Sequence, residues 1–460
     1  MPTDLTTRGE QMNRVLRAVA ALAASCLVAT TMASPGRAAT NHRLSATQAR
    51  AMHAVIASGQ AAKRTHVLDV CRSRRLACQA QLLAADGSST PLSSFTPFGF
   101  GAKDLESAYG LTGASSRTGT VAIVDAGAYP TIESDLNVYR RQYALPQCRR
   151  STGCLTVRSY DNGPERKPAT SERGKEIEEE LGLETALDLD MASAACPRCK
   201  LLLLQTPPGD AVFGSTRATH ASEDHFATAV QTAKSRGASS VSISYGFPTD
   251  AYAAGGSPAR KMNVRGMAVT AATGDSGYNG LYPYWPEVLP SVIAVGGTEL
   301  SRSPHGSWHE GAWDGAGSGC SAGLTPRAYG QPVGISALCN GFRASADLSA
   351  VADPMTGVAV YDTYAPADNF PFEWVVVGGT SVSSPLVAGI FARAGVPAGV
   401  HGPNTIYAQP ASAFRDVLAG GNAPSGVCSA DGVSERLCAA GVGWDGPTGR
   451  GTPKGLVTFQ

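Results

Sequence analysis

The sequence has almost no net charge and few aromatic side chains. Lys and Arg total 38, Asp and Glu total 37, and Phe, Trp and Tyr make up 7% of the 460 residues. No run of Lys or Arg interleaved with aromatic residues is present, so the basic surface of a nucleic-acid binder is missing. We therefore expect no nucleic-acid partner. With 43% hydrophobic and 16% charged residues, the chain can bury a large core.

The sequence also lacks an apolar run long enough to cross a bilayer. Near the N-terminus, Arg14 and Arg17 precede a small and apolar stretch over 18–33, shorter than the roughly 20 residues that a membrane helix needs. Ala38 offers a small-residue cleavage site, so residues 1–39 are predicted to be a signal peptide. A membrane anchor is the alternative. We expect a secreted, extracellular protein without membrane contact after signal cleavage.

Removal of that signal would leave no odd cysteine. Cys26 lies within it, and the other ten of the eleven cysteines form five neighbouring couples. Short-range disulfides are the simplest interpretation in an exported chain. Cys196-Pro-Arg-Cys199 also has zinc or redox spacing, although no second Cys-x-x-Cys and no His pair accompanies it. The couples are Cys71 and Cys78, Cys148 and Cys154, Cys196 and Cys199, Cys320 and Cys339, and Cys428 and Cys438.

The pattern of the chain changes near residue 96. Residues 40–95 are weakly patterned and are predicted to be a short leader or linker before one domain over 96–460. In that domain apolar runs alternate with helical patterns, which is typical of an α/β fold with a mainly parallel central sheet flanked by helices. Ligands bind such sheets at the carboxyl ends of the strands. Expected strands are 120–125, 201–204, 241–243, 267–269 and 292–295, and expected helices are 131–143, 178–194 and 222–236.

A turn of small residues leads from an apolar strand into a helix around Ser381. Gly378-Gly-Thr-Ser381-Val-Ser-Ser-Pro385 follows the run 374–377 and precedes the run 386–393. This pattern predicts a hydroxyl at a helix N-terminus, where free backbone N–H groups can hold an oxyanion. Ser381 is therefore a candidate nucleophile. Because Ser and Thr also cap helices routinely, a catalytic base is needed to support that interpretation.

None of the eight histidines is an evident base. Asp125 ends the first predicted strand as the Asp of a Ser-His-Asp triad would, but His220 and His225, the nearest candidates, have a surface pattern. A carboxylate pair is present instead, since Glu184 and Asp188 are four residues apart and share one helix face. Close carboxylates can share a proton, which leaves one able to accept a proton at acid pH. A solvated acidic helix is the alternative.

Four motifs together resemble those of the sedolisin (serine-carboxyl peptidase, S53) family, which has a subtilisin-like fold. They occur in the family's order and comprise Glu184-Thr-Ala-Leu-Asp188, Ala272-Thr-Gly-Asp275-Ser-Gly277, Val295-Gly-Gly-Thr298 and Gly379-Thr-Ser-Val-Ser-Ser-Pro385. The resemblance implies a serine endopeptidase that is active at acid pH, and we expect the secreted protein to be a monomer. It also implies the roles of general base for Glu184, orienting partner for Asp188, oxyanion stabiliser for Asp275 in its protonated form, and nucleophile for Ser381.

Two further segments resemble binding sites of that family. One contains Ser242, Ser244, Tyr245 and Gly246; its backbone would pair with an extended protein or peptide substrate and would read few side chains. The other resembles a loop for one structural calcium ion. Calcium prefers hard oxygen ligands, and the implied set consists of the side chains of Asp416 and Asp445 and the carbonyls of Val417, Gly441 and Gly443. A glycine-rich turn without an ion is the alternative.

Two other functions remain open at this stage. A catalytically silent, secreted binding protein could carry the same fold, and a subtilisin-type protease could use Asp125 with an unrecognised histidine. The N-terminal region departs from the family, because only about 55 residues separate the predicted signal from the match, where the family has a long folded propeptide. The resemblance therefore implies no route of maturation for this chain.

Overall fold

The structure is a computed structural model. It describes residues 43–61, 65–71, 77–113, 118–212, 214–280, 284–365, 373–396 and 399–459. The predicted signal peptide, with Cys26, lies outside these residues. Within the part of the chain that the structure describes, no helix is long and apolar enough to span a membrane.

Twenty strands are described. In chain order they are β1 (Arg43–Leu44), β2 (Thr65–Asp69), β3 (Gln81–Ala85), β4 (Ser93–Ser94), β5 (Thr120–Ala126), β6 (Leu155–Ser159), β7 (Lys200–Thr206), β8 (Ser240–Ile243), β9 (Phe247–Pro248), β10 (Ala268–Ala272), β11 (Tyr284–Trp285), β12 (Ile293–Arg302), β13 (Trp308–Ala312), β14 (Gly319–Cys320), β15 (Ala344–Ser345), β16 (Leu348–Val351), β17 (Val358–Asp362), β18 (Glu373–Gly378), β19 (Phe414–Arg415) and β20 (Thr452–Pro453).

Eleven α-helices are described along the same residues, together with short 3-10 turns. They are α1 (Ala46–Ala57), α2 (Ala102–Ala108), α3 (Ile132–Gln142), α4 (Glu172–Ala195), α5 (Thr216–Ser235), α6 (Ala251–Gly255), α7 (Ser257–Met262), α8 (Val333–Ser336), α9 (Thr380–Ala394), α10 (Asn404–Ala408) and α11 (Val427–Ala430).

The central sheet is mainly parallel and buried on both faces. Its order is β13-β12-β10-β8-β5-β7-β6, β16 also pairs with β12, and only the β12–β13 pair is antiparallel. Along β5, Val121 and Ile123 pack into one core cluster, and Ala122 and Val124 pack into another on the opposite face. Helices on both faces explain why this strand is a continuous apolar run in the sequence. The α/β fold with a mainly parallel sheet is confirmed.

The predicted elements are present; α4 and α5 begin earlier than expected, and α3 is slightly shorter than the predicted 131–143. Helix α4 begins at Glu172 because Ser171 caps it, with its hydroxyl accepting from the Gly174 N–H. Ser215 caps α5 in the same way by accepting from the Ala218 N–H. The first turns of both helices are polar, so apolar periodicity gave no signal there.

A second sheet contains the strand that leads to Ser381. Its order is β1-β4-β18-β3-β2, with β17 also paired to β18. Residues 43–94, predicted to be a leader or linker, supply α1 and four of these strands, and both β3 and β4 run antiparallel to β18. Val376 of β18 packs in a small core with Ile56, Leu83 and Leu92. The N-terminal segment is therefore integrated with the strand before the candidate nucleophile.

All five predicted cysteine couples are disulfide-bonded in the structure. They link Cys71 to Cys78, Cys148 to Cys154, Cys196 to Cys199, Cys320 to Cys339, and Cys428 to Cys438. The Cys196–Cys199 pair is thus occupied by a disulfide and leaves no thiolate for zinc.

Candidate active site

Ser381 lies in the first turn of α9, directly after a tight turn at Gly379. Strand β18 ends at Gly378 and α9 begins at Thr380, with Gly379 at a φ of +105°. A Cβ atom at Gly379 would lie 2.3 Å from the Gln79 carbonyl oxygen and 2.5 Å from Asp275 Oδ2. Only glycine fits this close approach and this backbone conformation. Ser381 itself is fully buried.

Glu184 and Asp188 lie on the buried face of α4, which packs against α9. Both side chains are 0% exposed, so a solvated acidic helix does not describe them. The Ser244 hydroxyl donates to both carboxylate oxygens of Asp188, each at 2.9 Å. Among the described residues, no group forms a hydrogen bond of regular geometry with either Glu184 oxygen. The Ser381 hydroxyl instead donates to the Ser244 carbonyl at 3.4 Å.

A third carboxylate, that of Asp125, joins this pair from the end of β5. Burial raises the pKa of Glu184 well above its usual range, the neighbouring Ser381 hydroxyl opposes that rise, and the charges of Asp125 and Asp275 add to it. Burial likewise raises the pKa of Asp188, with further increases from Asp125 and Glu184 and a decrease from Ser244. Burial raises the pKa of Asp125 to about 7. Repulsion among these buried groups favours shared protons over three full charges.

Asp275 lies on the other side of Ser381, in the loop after β10. Its Oδ1 accepts from the Thr380 N–H at 2.8 Å and from the Thr380 hydroxyl at 2.9 Å. Its Oδ2 is buried without a hydrogen-bond partner among the described residues. Burial raises the pKa of Asp275 to about 7, although the two Thr380 donors oppose the rise. A proton on Oδ2 would make this atom a donor toward the space beside Gly379. Thr380, which the helix-start pattern suggested only as a possible cap, fixes this orientation.

The two histidines considered as bases lie elsewhere, on α5. His220 Nε2 is 2.7 Å from Asp250 Oδ2, and His225 Nδ1 is 2.8 Å from Asp210 Oδ2. Within the described residues, neither oxygen of Asp125 has a hydrogen-bond partner. The histidines therefore do not form a Ser-His-Asp arrangement with Asp125.

The predicted substrate-binding segment spans the end of β8 and the residues after it, and it already pairs with another part of this chain. Ser242 lies within β8, and its hydroxyl bonds to that of Ser384 at 2.8 Å in the interior. Tyr245 is opposite Cys78 in an antiparallel bridge. The Ser244 carbonyl and the Gly246 N–H bond to the main chain on either side of Cys78. Nothing in the sequence pattern around Cys78 marked it as part of the site.

Asp416 and Asp445, the predicted calcium ligands, meet at one glycine-rich loop. The Gly443 N–H donates to Asp416 Oδ2 at 2.9 Å, and the Gly441 N–H donates to Asp445 Oδ2 at 3.1 Å. Burial raises the pKa of Asp445 to about 7. Hydrogen bonds from Thr448 and Gly441 lower this pKa, and the charge of Asp416 raises it further. Carboxylates beside glycine-rich main chain are oxygen donors of the type that a hard cation such as Ca²⁺ takes.

No larger cluster of potential metal ligands supports that site. Among the described residues, no group of three or more His, Cys, Asp and Glu side chains is positioned to hold a metal ion. The remaining oxygens would have to come from the main chain, for which Val417, Gly441 and Gly443 are the predicted carbonyls.

Two curated proteins are similar to this chain in sequence. No family model matches the chain. It is 30% identical over 302 residues to kumamolisin from Bacillus sp. (strain MN-32), which covers 60% of this chain and 50% of the relative. It is also 30% identical over 217 residues to sedolisin from Pseudomonas sp. (strain 101), covering 41% of this chain and 34% of that protein. The chain thus spans half or less of the curated relatives it matches.

A solved structure shows the same fold. Pseudomonas sedolisin, a serine-carboxyl proteinase complexed with two molecules of pseudo-iodotyrostatin, superposes with a TM-score of 0.56 at 22% identity. The match covers 77% of this chain and 95% of that one. The sheet order, the helices on both faces and the serine at the start of α9 define a subtilisin-like α/β protein. Together with the sequence matches, this fold supports the resemblance to the sedolisin (serine-carboxyl peptidase, S53) family that the four motifs indicate.

Proposed function

We propose that this protein is a secreted serine-carboxyl endopeptidase that hydrolyses peptide bonds of proteins and peptides at acid pH. One observation carries the proposal: Ser381, at the start of α9, lies with the fully buried Glu184 and Asp188 and with the partly buried Asp275, whose Oδ2 atom is buried. A carboxylate can act as a base at a pH where an imidazole is already protonated.

In the proposed reaction, Ser381 Oγ attacks the carbonyl carbon of the substrate while Glu184 accepts its proton. Asp188 is held by the Ser244 hydroxyl. It supports Glu184 because the two carboxyl groups share one proton and one negative charge. The carbonyl oxygen becomes an oxyanion, which the Ser381 N–H and a protonated Asp275 Oδ2 stabilise. Glu184 then passes its proton to the leaving amine. Water then attacks the acyl-enzyme. Glu184 accepts a proton from the water and returns one to Ser381 Oγ as the acid product leaves.

The acid optimum follows from the state required of Asp275. Only its protonated form can donate a hydrogen bond to an oxyanion, and burial raises the pKa of this group to about 7. The group is therefore in its active form below that pH. Glu184 must instead be ionised, and repulsion within the buried pair favours a single negative charge shared with Asp188.

Substrate selection in this proposal is broad. The Ser244 carbonyl and the Gly246 N–H offer main-chain hydrogen bonds to an extended chain, and such pairing is independent of side chains. Proteins and peptides of varied sequence are therefore the expected substrates, and the protein is proposed to act on them as a monomer. We further propose one structural Ca²⁺, held by the side chains of Asp416 and Asp445 and by the carbonyls of Val417, Gly441 and Gly443.

Hydrolysis of an unfolded protein at about pH 4 and at about pH 8 tests the mechanism. We expect acid activity in the unmutated protein and a loss of activity in Ser381→Ala and in Glu184→Gln. The matched control is Glu176→Gln, because Glu176 lies on the same helix but outside the buried set. Full acid activity in Glu184→Gln would contradict a carboxylate base. Alkaline activity that survives this substitution would indicate a subtilisin-type mechanism, and no activity at either pH would favour a silent binding protein.

A further inference from the structure

The loop that begins at Asp275 is bonded to the segment of chain that leads into β14. The Gly277 N–H donates to the Gly315 carbonyl at 2.9 Å, and the Asn279 N–H donates to the Ser318 carbonyl at 2.9 Å. Both bonds are made by main-chain atoms. The position of the loop therefore follows the position of this segment.

Asn422, from a distant part of the chain, touches the same loop with its main chain. Its carbonyl accepts from the Tyr278 N–H at 3.0 Å. A Cβ atom at Gly277, which has a φ of +72°, would lie 2.5 Å from this carbonyl oxygen and 3.0 Å from the Asp314 carbonyl oxygen. Only glycine allows the loop to pass so close to both. Asn422 itself is buried.

The side chain of Asn422 bonds to the neighbouring segment. Its Nδ2 donates to the Ala316 carbonyl at 2.5 Å and to Ser318 Oγ at 2.7 Å. Because a carbonyl oxygen can only accept, the nitrogen of the amide must face Ala316. The Ser318 hydroxyl donates its own proton to the Leu437 carbonyl at 2.6 Å, so it accepts from Asn422. Both hydrogens of the amide nitrogen are therefore used.

Asn422 thus joins the loop to the segment that supports it, and it is anchored itself. Its N–H donates to the Cys438 carbonyl at 2.8 Å, and Cys438 is disulfide-bonded to Cys428. The carbonyl of Asn422 fixes the loop, its amide fixes the segment, and its N–H ties both to the disulfide-closed insertion.

The position of this loop matters for Asp275 because the carboxyl group is held at one oxygen only. Thr380 binds Oδ1, and Oδ2 is the atom that would donate to the oxyanion. Such a donor must lie within about 2.7–3.1 Å of the oxyanion. A displacement of the loop by about 1 Å would therefore lower the rate of the chemical step by roughly 10²-fold.

We propose that Asn422 is a positioning residue for the peptidase reaction, which holds the loop of Asp275 where Oδ2 can donate to the oxyanion. Asn422 acts through Asp275 and takes no part in proton transfer. This role rests on the proposed peptidase function, to which it adds a residue from the C-terminal part of the chain.

Steady-state hydrolysis of a peptide at about pH 4 tests this role. Asn422→Ala removes the amide and keeps the main-chain carbonyl. We expect its kcat to fall by roughly 10- to 100-fold and its KM to stay within about twofold. The matched control is Asn404→Ala, because the Asn404 amide also holds two main-chain groups, the Gly399 carbonyl at 3.1 Å and the His401 N–H at 2.9 Å. A kcat of Asn422→Ala equal to that of this control would overturn the proposal.

The same substitution in an Asp275→Ala background separates positioning from a general loss of structure. Once the carboxyl group is absent, Asn422 has nothing left to position, so the second substitution should lower kcat no further. A loss by the same factor in both backgrounds would overturn the action through Asp275.

Asn422→Asp tests the need for hydrogen-bond donors with a side chain of the same shape. In acid its carboxyl group can donate one hydrogen bond, and after ionisation it can donate none. We expect kcat to exceed that of Asn422→Ala at the acid end and to fall at a lower pH than in the unmutated protein. A pH profile identical to that of the unmutated protein would contradict the donor role.

Amide hydrogen exchange in the Ser381→Ala background gives a measurement that does not depend on activity. Exchange at the Tyr278 N–H should be about tenfold faster after Asn422→Ala and unchanged after Asn404→Ala. If the unmutated protein hydrolyses no peptide, the proposed function fails, and exchange alone then decides whether Asn422 holds the loop. Faster exchange would support that contact, and unchanged exchange would overturn it.

Discussion

The Ser244 hydroxyl lies 2.9 Å from each carboxylate oxygen of Asp188, while the Ser244 main-chain carbonyl accepts from both Gln79 and Ser381. One residue therefore contacts the carboxylate pair through its side chain and the cleft through its backbone. Because only the side chain reaches Asp188, a substitution can separate the two contacts.

Ser244→Ala should lower activity at acid pH and leave the main-chain pairing in place. The lost hydrogen bond is one of the factors that lower the pKa of Asp188, so the pKa values of the coupled pair should rise. The base must be ionised, and the acid limb of the kcat/KM profile should therefore move to higher pH, by on the order of one unit. Ser242→Ala is the matched control, since the Ser242 hydroxyl bonds to Ser384 instead. An acid limb that does not move would exclude an electrostatic role for Ser244.

Asp275→Asn separates the donor role of Asp275 from its titration. An amide can donate a hydrogen bond at any pH, whereas Asp275 can donate only while protonated, below its raised pKa of about 7. We expect the Asn variant to keep part of its activity. Its kcat should no longer fall as the pH rises through about 7. Asp275→Ala should lower kcat by roughly 10²- to 10³-fold. Equal losses in both variants with an unchanged pH profile would contradict the proposed donor.

The folded protein should become more stable as the pH falls from about 7 to about 4. Burial raises the pKa of Asp362 from 3.8 to about 7, so the folded chain holds a proton there that the unfolded chain has lost. Its contribution is complete below the unfolded pKa and disappears as the pH rises through the folded one. Melting temperatures in the Ser381→Ala background, which prevents proteolysis, test this expectation.

Asp362→Asn should flatten that dependence, because an amide of the same shape does not titrate. The Tyr129 hydroxyl, 2.8 Å from Asp362 Oδ1, can still donate to the amide oxygen. The exposed residue Asp86 provides the control Asp86→Asn, for which the slope should be unchanged. An unchanged slope in Asp362→Asn would show that the carboxyl does not hold an extra proton in the folded state over this pH range.

A chelator should lower the melting temperature of the protein, and added Ca²⁺ should restore it, because a ligand bound only to the folded state stabilises that state. Asp416→Asn should remove most of this calcium-dependent difference. Asp431→Asn, an exposed residue between the two halves of the loop, should retain it. Identical melting temperatures with chelator and with Ca²⁺ would count against the ion.

Much of the site was predictable because its signals are local. The spacing of Glu184 and Asp188 places them on one face of α4 whatever the surrounding fold, and the small-residue turn before α9 sets Ser381 at a helix start. The disulfides could be predicted because the two cysteines of each couple lie close together in the chain. The polar first turns of α4 and α5 were missed, since their capping serines, Ser171 and Ser215, break the apolar period.

The sequence by itself determined five strands of the central sheet, three of the helices, the cysteine couples and the order of the reactive residues, because periodicity and spacing record them within a few turns of chain. Only the tertiary structure decided that Asp125 joins the carboxylate pair, that β18 pairs with the N-terminal segment, and that Gln79 lies against Ser381. The physical reason is that these contacts join distant residues. The contact of Gln79 with Ser381 is also made by main-chain atoms, which every residue carries, so no side-chain pattern marks it.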